Sequence, residues 1–406
     1  MNLPRLLFLP VLCLLIAARV HSAGLTLHSD FPGGSAEVHA LDAGAGLIEI
    51  SPVSREGRGW PCWWYFRVDG ARPGQALTVR VKPAGRPFRA QERLAAAWSL
   101  PARAAISSDD QTWRHTDPGI VTQADATYAI TAPAATFWLA WGPPFLPAHS
   151  EALLEQTASR VPGAERFVLA KTREGREVPG IRLGKKDAPQ AVWVHARQHA
   201  WEAGGSWVGR GFLEWAAGDT PEAAALRAST EIFFIPIMDV DNVALGAGGK
   251  EAVPRDHNRD WDTRPVYPEV AAAQQRVEAL IQAGRLRCYF DLHNPGSGDK
   301  QPFFFGPMDY EQMTGPRRAS YDRFLSLCVQ HMREPLPILP RYRFATYVKT
   351  QEERDRMSGN WVRDRTPARA VAMTLETAWN TPHSTQDGYL HVGQGLAKAM
   401  AAWLRE

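Results

Sequence analysis

Cysteine is scarce. The 406 residues hold four, and Cys13 falls in an apolar N-terminal stretch. Cys62, Cys288 and Cys328 remain, an odd number, widely separated and never spaced C-x-x-C. That excludes a disulfide framework and a thiolate metal site. It leaves either one bridge with a spare thiol or three buried free thiols. Charge of one sign is also missing. Lys and Arg number 46 against 43 Asp and Glu, a formal net charge of +3, so there is no footprint for nucleic acid. Past the first residues no run approaches the ~20 apolar positions that a membrane-spanning helix needs. There is no internal repeat and no low-complexity tract, which removes the solenoids and disordered arrays. What the chain does hold in quantity is tryptophan, fifteen of them, best explained by large aromatic cores.

The first 23 residues read as an export signal: Arg5, an apolar stretch from Leu6 to Ala18, then Val20-His21-Ser22-Ala23 with small residues for cleavage. The mature protein is expected to begin near Gly24 and to be periplasmic or secreted, with no membrane span. Residues 24–147 alternate in short apolar runs (Gly24 to His28, Ser35 to His39, Gly46 to Ile50, Trp63 to Val68, Ala76 to Val81, Tyr128 to Ile130, Thr136 to Ala140) parted by Gly, Pro and Asp. This predicts an all-β sandwich without a catalytic cluster, whose default role is to support its neighbour. Gly142-Pro143-Pro144-Phe145-Leu146-Pro147 marks the boundary. After a helix over 149–160, strands at 166–171, 190–196, 231–237, 286–292, 343–348 and 369–375 alternate with helices at 203–217, 221–228, 268–284, 316–333 and 392–404. Residues 148–406 are thus an α/β domain, its sheet covered on both faces, with active residues expected at strand ends.

Four stretches sit at such ends. The first, VWVHARQHAWEAGGSWVGRGFLEW from Val192 to Trp215, runs from a buried strand into a helix and carries His199 and Glu202 as H-x-x-E. Imidazole and carboxylate are both zinc ligands, and a catalytic zinc takes three protein ligands with one open position. His195 reads as a packed strand residue. The second is Asp256-His257-Asn258-Arg259: an Asn-Arg fork suits a carboxylate, and Asp256 can accept the second ring N–H of a metal-bound His. The third is His293, closing the apolar strand Tyr289-Phe290-Asp291-Leu292. The fourth is Glu376, closing Ala372-Met373-Thr374-Leu375. A carboxylate at the end of a buried strand needs a partner or a task, and general base is one such task. Each stretch alone also fits a structural role.

In this order the four stretches resemble the zinc metallocarboxypeptidases related to carboxypeptidase A, most closely their cytosolic-carboxypeptidase-like branch. Arg197 to Glu202 followed by Ser206-Trp207-Val208 and Gly211-Phe212-Leu213 resembles that branch's zinc-ligand segment. Trp64-Tyr65-Phe66-Arg67-Val68 resembles the strand typical of its N-terminal β-domain. The resemblance implies a carboxypeptidase-like mixed sheet flanked by helices, one Zn2+ held by His199, Glu202 and His293, and Asp256 orienting His199. It implies Asn258 and Arg259 on the carboxylate of a peptide or protein C-terminus, Glu376 as the catalytic carboxylate, and Ser358-Gly359-Asn360-Trp361 lining the pocket for the last side chain. The chain departs from the family in two places. For the oxyanion-stabilising cation Lys250 and Arg255 compete, with Lys250 preferred because it lies further back in the loop. No tyrosine falls at the family's capping position, and Tyr347 is the nearest. Lys349, Arg354, Arg356, Arg363 and Arg365 hint at an acidic terminal residue, although a solvated charged loop accounts for most of them. The leading expectation is an exported zinc carboxypeptidase. Its rivals are a zinc amidohydrolase acting on cell-wall stem peptides or N-acyl amino acids, and a non-catalytic binding protein on the same scaffold.

Overall fold

A computed structural model describes residues 21–22, 24–87 and 92–406. The expected export signal lies outside the described residues apart from His21 and Ser22. Among the described residues no helix is long and apolar enough to cross a membrane.

The N-terminal half holds two sheets. One orders its strands His21–Ser22, Leu25–His28, Tyr65–Asp69, Thr136–Ala140, Ala105–Ser107 and Arg114–His115; the other orders Glu37–Asp42, Leu47–Ser51, Ala76–Val81, Ala126–Thr131 and Ile120–Val121. Alternation in Leu47–Ser51 and Ala76–Val81 sends Ile48, Ile50, Leu77, Val79 and Val81 inward, the period-2 pattern of a sheet with one buried face. The aromatic run Trp63-Trp64-Tyr65-Phe66 is buried in their midst. Cys62, Cys288 and Cys328 are all free and buried.

In the second half the strands are numbered β1 (Glu165–Lys171), β2 (Glu177–Gly184), β3 (Gln190–Ala196), β4 (Thr230–Ile235), β5 (Leu286–His293), β6 (Phe303–Phe305) and β7 (Val371–Glu376). The sheet runs β1-β2-β4-β3-β5-β7-β6. Its four central strands are parallel, and the flanking strands antiparallel. Every residue of β5 and β7 except Arg287 is buried, as helices on both faces require. The helices that follow β3 and β7, Ala203–Ala216 (α1) and Gln386–Leu404 (α2), pack together so closely that a Cβ on Gly211 would meet Leu390 O at 2.2 Å and one on Gly393 would meet Val208 O at 1.9 Å. Those two glycines let the backbones touch, and they fix α1, whose first turn follows Glu202.

Two differences from the sequence expectation concern this sheet. Strand β2, which contains Pro179 and Gly180, is not among the strands expected from the sequence. The ladder admits the proline at a register shift between Val168 and Ala170, where one missing N–H costs little, and the bare Gly180 makes room for the Phe167 ring. The strand expected at 343–348 does not form. Phe303–Phe305 occupies the position beside β7, and only an isolated bridge joins Phe305 to Arg343.

Candidate metal centre and catalytic cavity

Strand register brings the site together. His293 and Glu376 pair across β5 and β7, and His195 pairs with Asp291 across β3 and β5. Asp291 and His293, two apart on β5, share a face. After β3 the chain turns sharply at Arg197, whose φ is +64°, a conformation that costs a non-glycine residue ~1 kcal/mol or more and persists only where the surroundings impose it. Here they do: the buried Arg197 guanidinium donates to Phe145 O at 3.0 Å and to Ala200 O. Burial lowers its pKa to about 9 against the pull of Glu202 and Asp239. The turn puts His199 and Glu202 beside His293.

His199, Glu202 and His293 offer one ligand atom each, all within 4.8 Å of one another. Glu202 Oε1 lies 2.8 Å from His199 Nδ1, and Oε2 lies 2.6 Å from His293 Nδ1. Each ring presents Nδ1 to this common point while Nε2 faces a carboxylate: His199 on Asp256 Oδ1 at 3.0 Å, His293 on Asp291 Oδ2 at 2.9 Å. Two imidazoles whose far nitrogens are held by carboxylates, with a third carboxylate between them, are the donor set and outer shell of a zinc site. Burial alone would raise the Glu202 carboxyl, yet the two imidazoles pull it down to about 2. Asp256 is likewise held well below the usual range, its burial outweighed by His199, Lys250 and Arg259. Such a cluster of buried carboxylates favours a cation in its middle.

Asp256 is itself held in place, accepting from Asn258 N at 2.8 Å and Glu251 N at 3.0 Å. Asn258 Oδ1 accepts from Ser358 N at 2.9 Å, and its Nδ2 lies 3.3 Å from His293 Nε2. Arg259 is mostly buried, ion-paired with Glu353 at 3.0 Å. Around the three ligands opens a cavity of about 610 Å³ whose walls include Lys250, Asn258, Arg259, Tyr347 and Glu376. Glu376 is buried, and its Oε2 has no hydrogen-bond partner among the described residues. Burial, and then the neighbouring Glu202, raise it to about 7 against His293, His199 and Lys250, the range suited to moving a proton near neutral pH.

Three expectations are corrected here. Arg255 does not reach the cavity: Asp260 at 3.0 Å and Asp262 at 2.7 Å hold it in a separate groove. Lys250 therefore faces the site without that competitor. Trp361 does not line the cavity either. It packs on Trp261 at 5.6 Å, with Arg365 4.2 Å over its own ring, while Met357 and Thr374 supply the wall nearby. Lys349, Arg354, Arg356, Arg363 and Arg365 are all absent from the cavity wall. Arg356 pairs with Asp262 and Glu352, and Lys349 donates to Thr346 O. Arg363 lines a smaller pocket that shares Phe305, Met357 and Thr374 with the cavity, so of the five only Arg363 keeps the hint of an acidic terminal residue.

Sequence reasoning missed Asp291. Fully buried, it accepts from Gln198 Nε2 at 2.6 Å and from Ser358 Oγ, and it lies 3.0 Å from His195 Nε2 as well as beside His293. Gln198 in turn accepts from Trp261 Nε1 at 2.7 Å. The signal was present: a carboxylate in an apolar strand, two residues before a candidate ligand.

Comparison with known proteins agrees with this geometry. Residues 150–278 match the zinc carboxypeptidase family, and residues 27–141 match the cytosolic carboxypeptidase N-terminal domain. The chain is a homologue of the cytosolic carboxypeptidases. Cytosolic carboxypeptidase 2 of Danio rerio is 32% identical over 117 residues, 28% of this chain and 16% of that protein. An uncharacterized protein of Zymomonas mobilis is 24% identical over 257 residues, 63% of this chain and 64% of that one. The chain therefore spans less than two thirds of these relatives' length. Among solved structures, a metallo-carboxypeptidase from Burkholderia cenocepacia superposes with a TM-score of 0.78 at 20% identity, over 94% of this chain and 99% of that one. One from Pseudomonas aeruginosa gives 0.76 at 19% identity, over 93% and 99%. At these identities the likeness is one of fold, and it takes in both halves of the zinc carboxypeptidase homologue.

Proposed function

We propose that this chain is a zinc-dependent carboxypeptidase that releases C-terminal residues from peptides. The observation that carries the reading is the convergence on one cavity of a His-Glu-His ligand set, an Asn-Arg pair and a buried carboxyl with one oxygen unpartnered among the described residues. Zinc on His199, Glu202 and His293 would polarise the scissile carbonyl and bring the pKa of a water to ~7. The chain's own residues do the rest. Arg259 and Asn258 receive the terminal carboxylate, Arg259 as a charge-assisted donor. Glu376 takes the attacking water's proton through Oε2 and returns it to the leaving amine. Lys250 steadies the carbonyl oxygen as negative charge develops. Asp256 and Asp291 hold the ligand imidazoles in one orientation and tautomer.

Blocked peptides with free C-termini are the substrates to try, assayed for amino-acid release. Glu376→Gln should abolish turnover while zinc stays bound; near-normal activity in that variant would sink the assignment. The stretch from Arg5 to Ala23 reads as an export signal, and on that reading we place the protein outside the cytoplasm. N-terminal sequencing of the protein from its native cells, starting at Met1 rather than near Gly24, would contradict it.

A further inference from the structure

The N-terminal β-domain does more than stand beside the cavity, because two of its tryptophans form part of the wall. Trp60 and Trp98 both line it. Their rings are 4.6 Å apart, and Trp98 sits 5.7 Å from Trp201, the residue immediately before the candidate ligand Glu202. Trp201, Ala203 and Trp379, all from the second half, are built into the hydrophobic core of the β-domain.

This wall is fixed in place. The short turn Ala96–Trp98 is pinned by two indole donors from the β-domain, Trp141 Nε1 to Trp98 O at 2.8 Å and Trp64 Nε1 to Ser99 O at 2.9 Å. The segment carrying Trp60 is laced to the loop carrying Lys250: Trp60 N donates to Lys250 O at 3.0 Å, Gly249 N to Arg58 O at 2.9 Å and Val253 N to Gly57 O at 2.8 Å. The approach is close enough that a Cβ on Gly248 would meet Trp60 O at 1.9 Å. Lys250 Nζ lies 5.3 Å from the centre of the Trp60 ring. Trp60 Nε1 is buried without a hydrogen-bond partner among the described residues.

We infer that Trp60 and Trp98 form a subsite for the residue preceding the scissile bond, selective for an apolar or aromatic side chain. The inference rests on the carboxypeptidase reading. With the terminal carboxylate on Asn258 and Arg259 and the scissile carbonyl at Lys250, the upstream chain runs out past Trp60. The Trp98 and Trp60 rings, both part of the cavity wall, cover the penultimate side chain. A rigid aromatic face prefers planar and apolar groups to charged or missing ones.

The experiment compares blocked dipeptides with one common C-terminal residue and Gly, Asp, Leu or Phe before it. The wild-type enzyme, zinc-loaded, should favour Leu and Phe over Gly and Asp by roughly tenfold or more in kcat/KM, mainly through KM. In Trp98→Ala the Phe-to-Gly ratio should fall to within about twofold of unity. Trp98→Phe, which keeps an aromatic face, should hold an intermediate ratio with a melting temperature near wild type, so the test survives if the alanine variant folds poorly. A wild-type ratio near unity, or a ratio unchanged in a folded Trp98 variant, overturns the subsite while leaving the carboxypeptidase reading intact. Chelator-insensitive release, or no release from any of the four dipeptides, would instead strike at the carboxypeptidase reading.

Discussion

Replacing Asp291 by Asn tests whether the second half of the molecule is built around a metal. The exchange keeps shape and removes charge. In the native chain the carboxylate collects donors from Gln198 and Ser358 and faces both His195 and His293. It is fully buried, so no solvent can take its place. An amide has one acceptor oxygen, and its NH2 group would point at some of those donors. Two costs follow. An unsatisfied buried donor destabilises the fold by about 1–3 kcal/mol. More specifically, the His293 ring loses the partner that fixes its tautomer and raises its basicity, and loss of such a partner typically weakens metal binding roughly 10–100-fold, about 1.4–2.7 kcal/mol. The assay is competition between the metal-free protein and a chromophoric chelator for zinc, run beside circular dichroism to show that the variant is folded. The expected outcome is a zinc Kd raised within that range with secondary structure retained. A folded variant that binds zinc as tightly as wild type would refute the claim that Asp291 orients a ligand.

Lys250→Ala should lower kcat by roughly 10²–10³-fold with little change in KM, the usual effect of losing one oxyanion donor; Arg255→Ala, whose partners are Asp260 and Asp262, should leave kcat within about twofold of wild type. Arg259→Ala should cost about 1.5–3 kcal/mol in kcat/KM, the worth of a charged hydrogen bond, and should erase the preference for a free C-terminus over its amide in paired peptides. A third expectation concerns pH. Burial alone would lower His257, but Asp239 and Glu269 raise it to about 9, above its ordinary value of about 6.5. The stability it contributes, about 3 kcal/mol by linkage, is fully present below pH ~6.5 and lost as pH rises through ~9. Urea titrations between pH 6 and 10 should show that decline in wild type and a flatter profile in His257→Gln; parallel profiles would contradict it.

Much of this was legible in the sequence because it rested on short-range pattern. Strand β3 running into helix α1, His293 closing β5 and Glu376 closing β7 are each a periodic apolar run ending in one polar residue, and the structure has them where the pattern put them. What the sequence concealed was decided between elements. Arg255 and Lys250 are equally cationic on paper; only the folded loop pairs one with Asp260 and Asp262 and turns the other to the cavity. Trp361 looked like a pocket residue and instead backs Trp261, which reaches Asp291 through Gln198. Strand β2 carries Pro179 and Gly180, residues disfavoured in strands, and the register shift beside them belongs to the neighbouring strand. The contribution of Trp60 and Trp98 to the cavity arises only when two separately patterned halves meet.

The measurement closest to the central claim is amino-acid release from a blocked peptide by the protein as purified, after chelation, and after zinc is restored. The account predicts release of one C-terminal residue at a time, stopped by the chelator, recovered with one zinc per chain, and absent when the peptide ends in an amide. Release that persists without metal, or a fully zinc-loaded protein that frees no C-terminal residue from a panel covering every side-chain class, would contradict it.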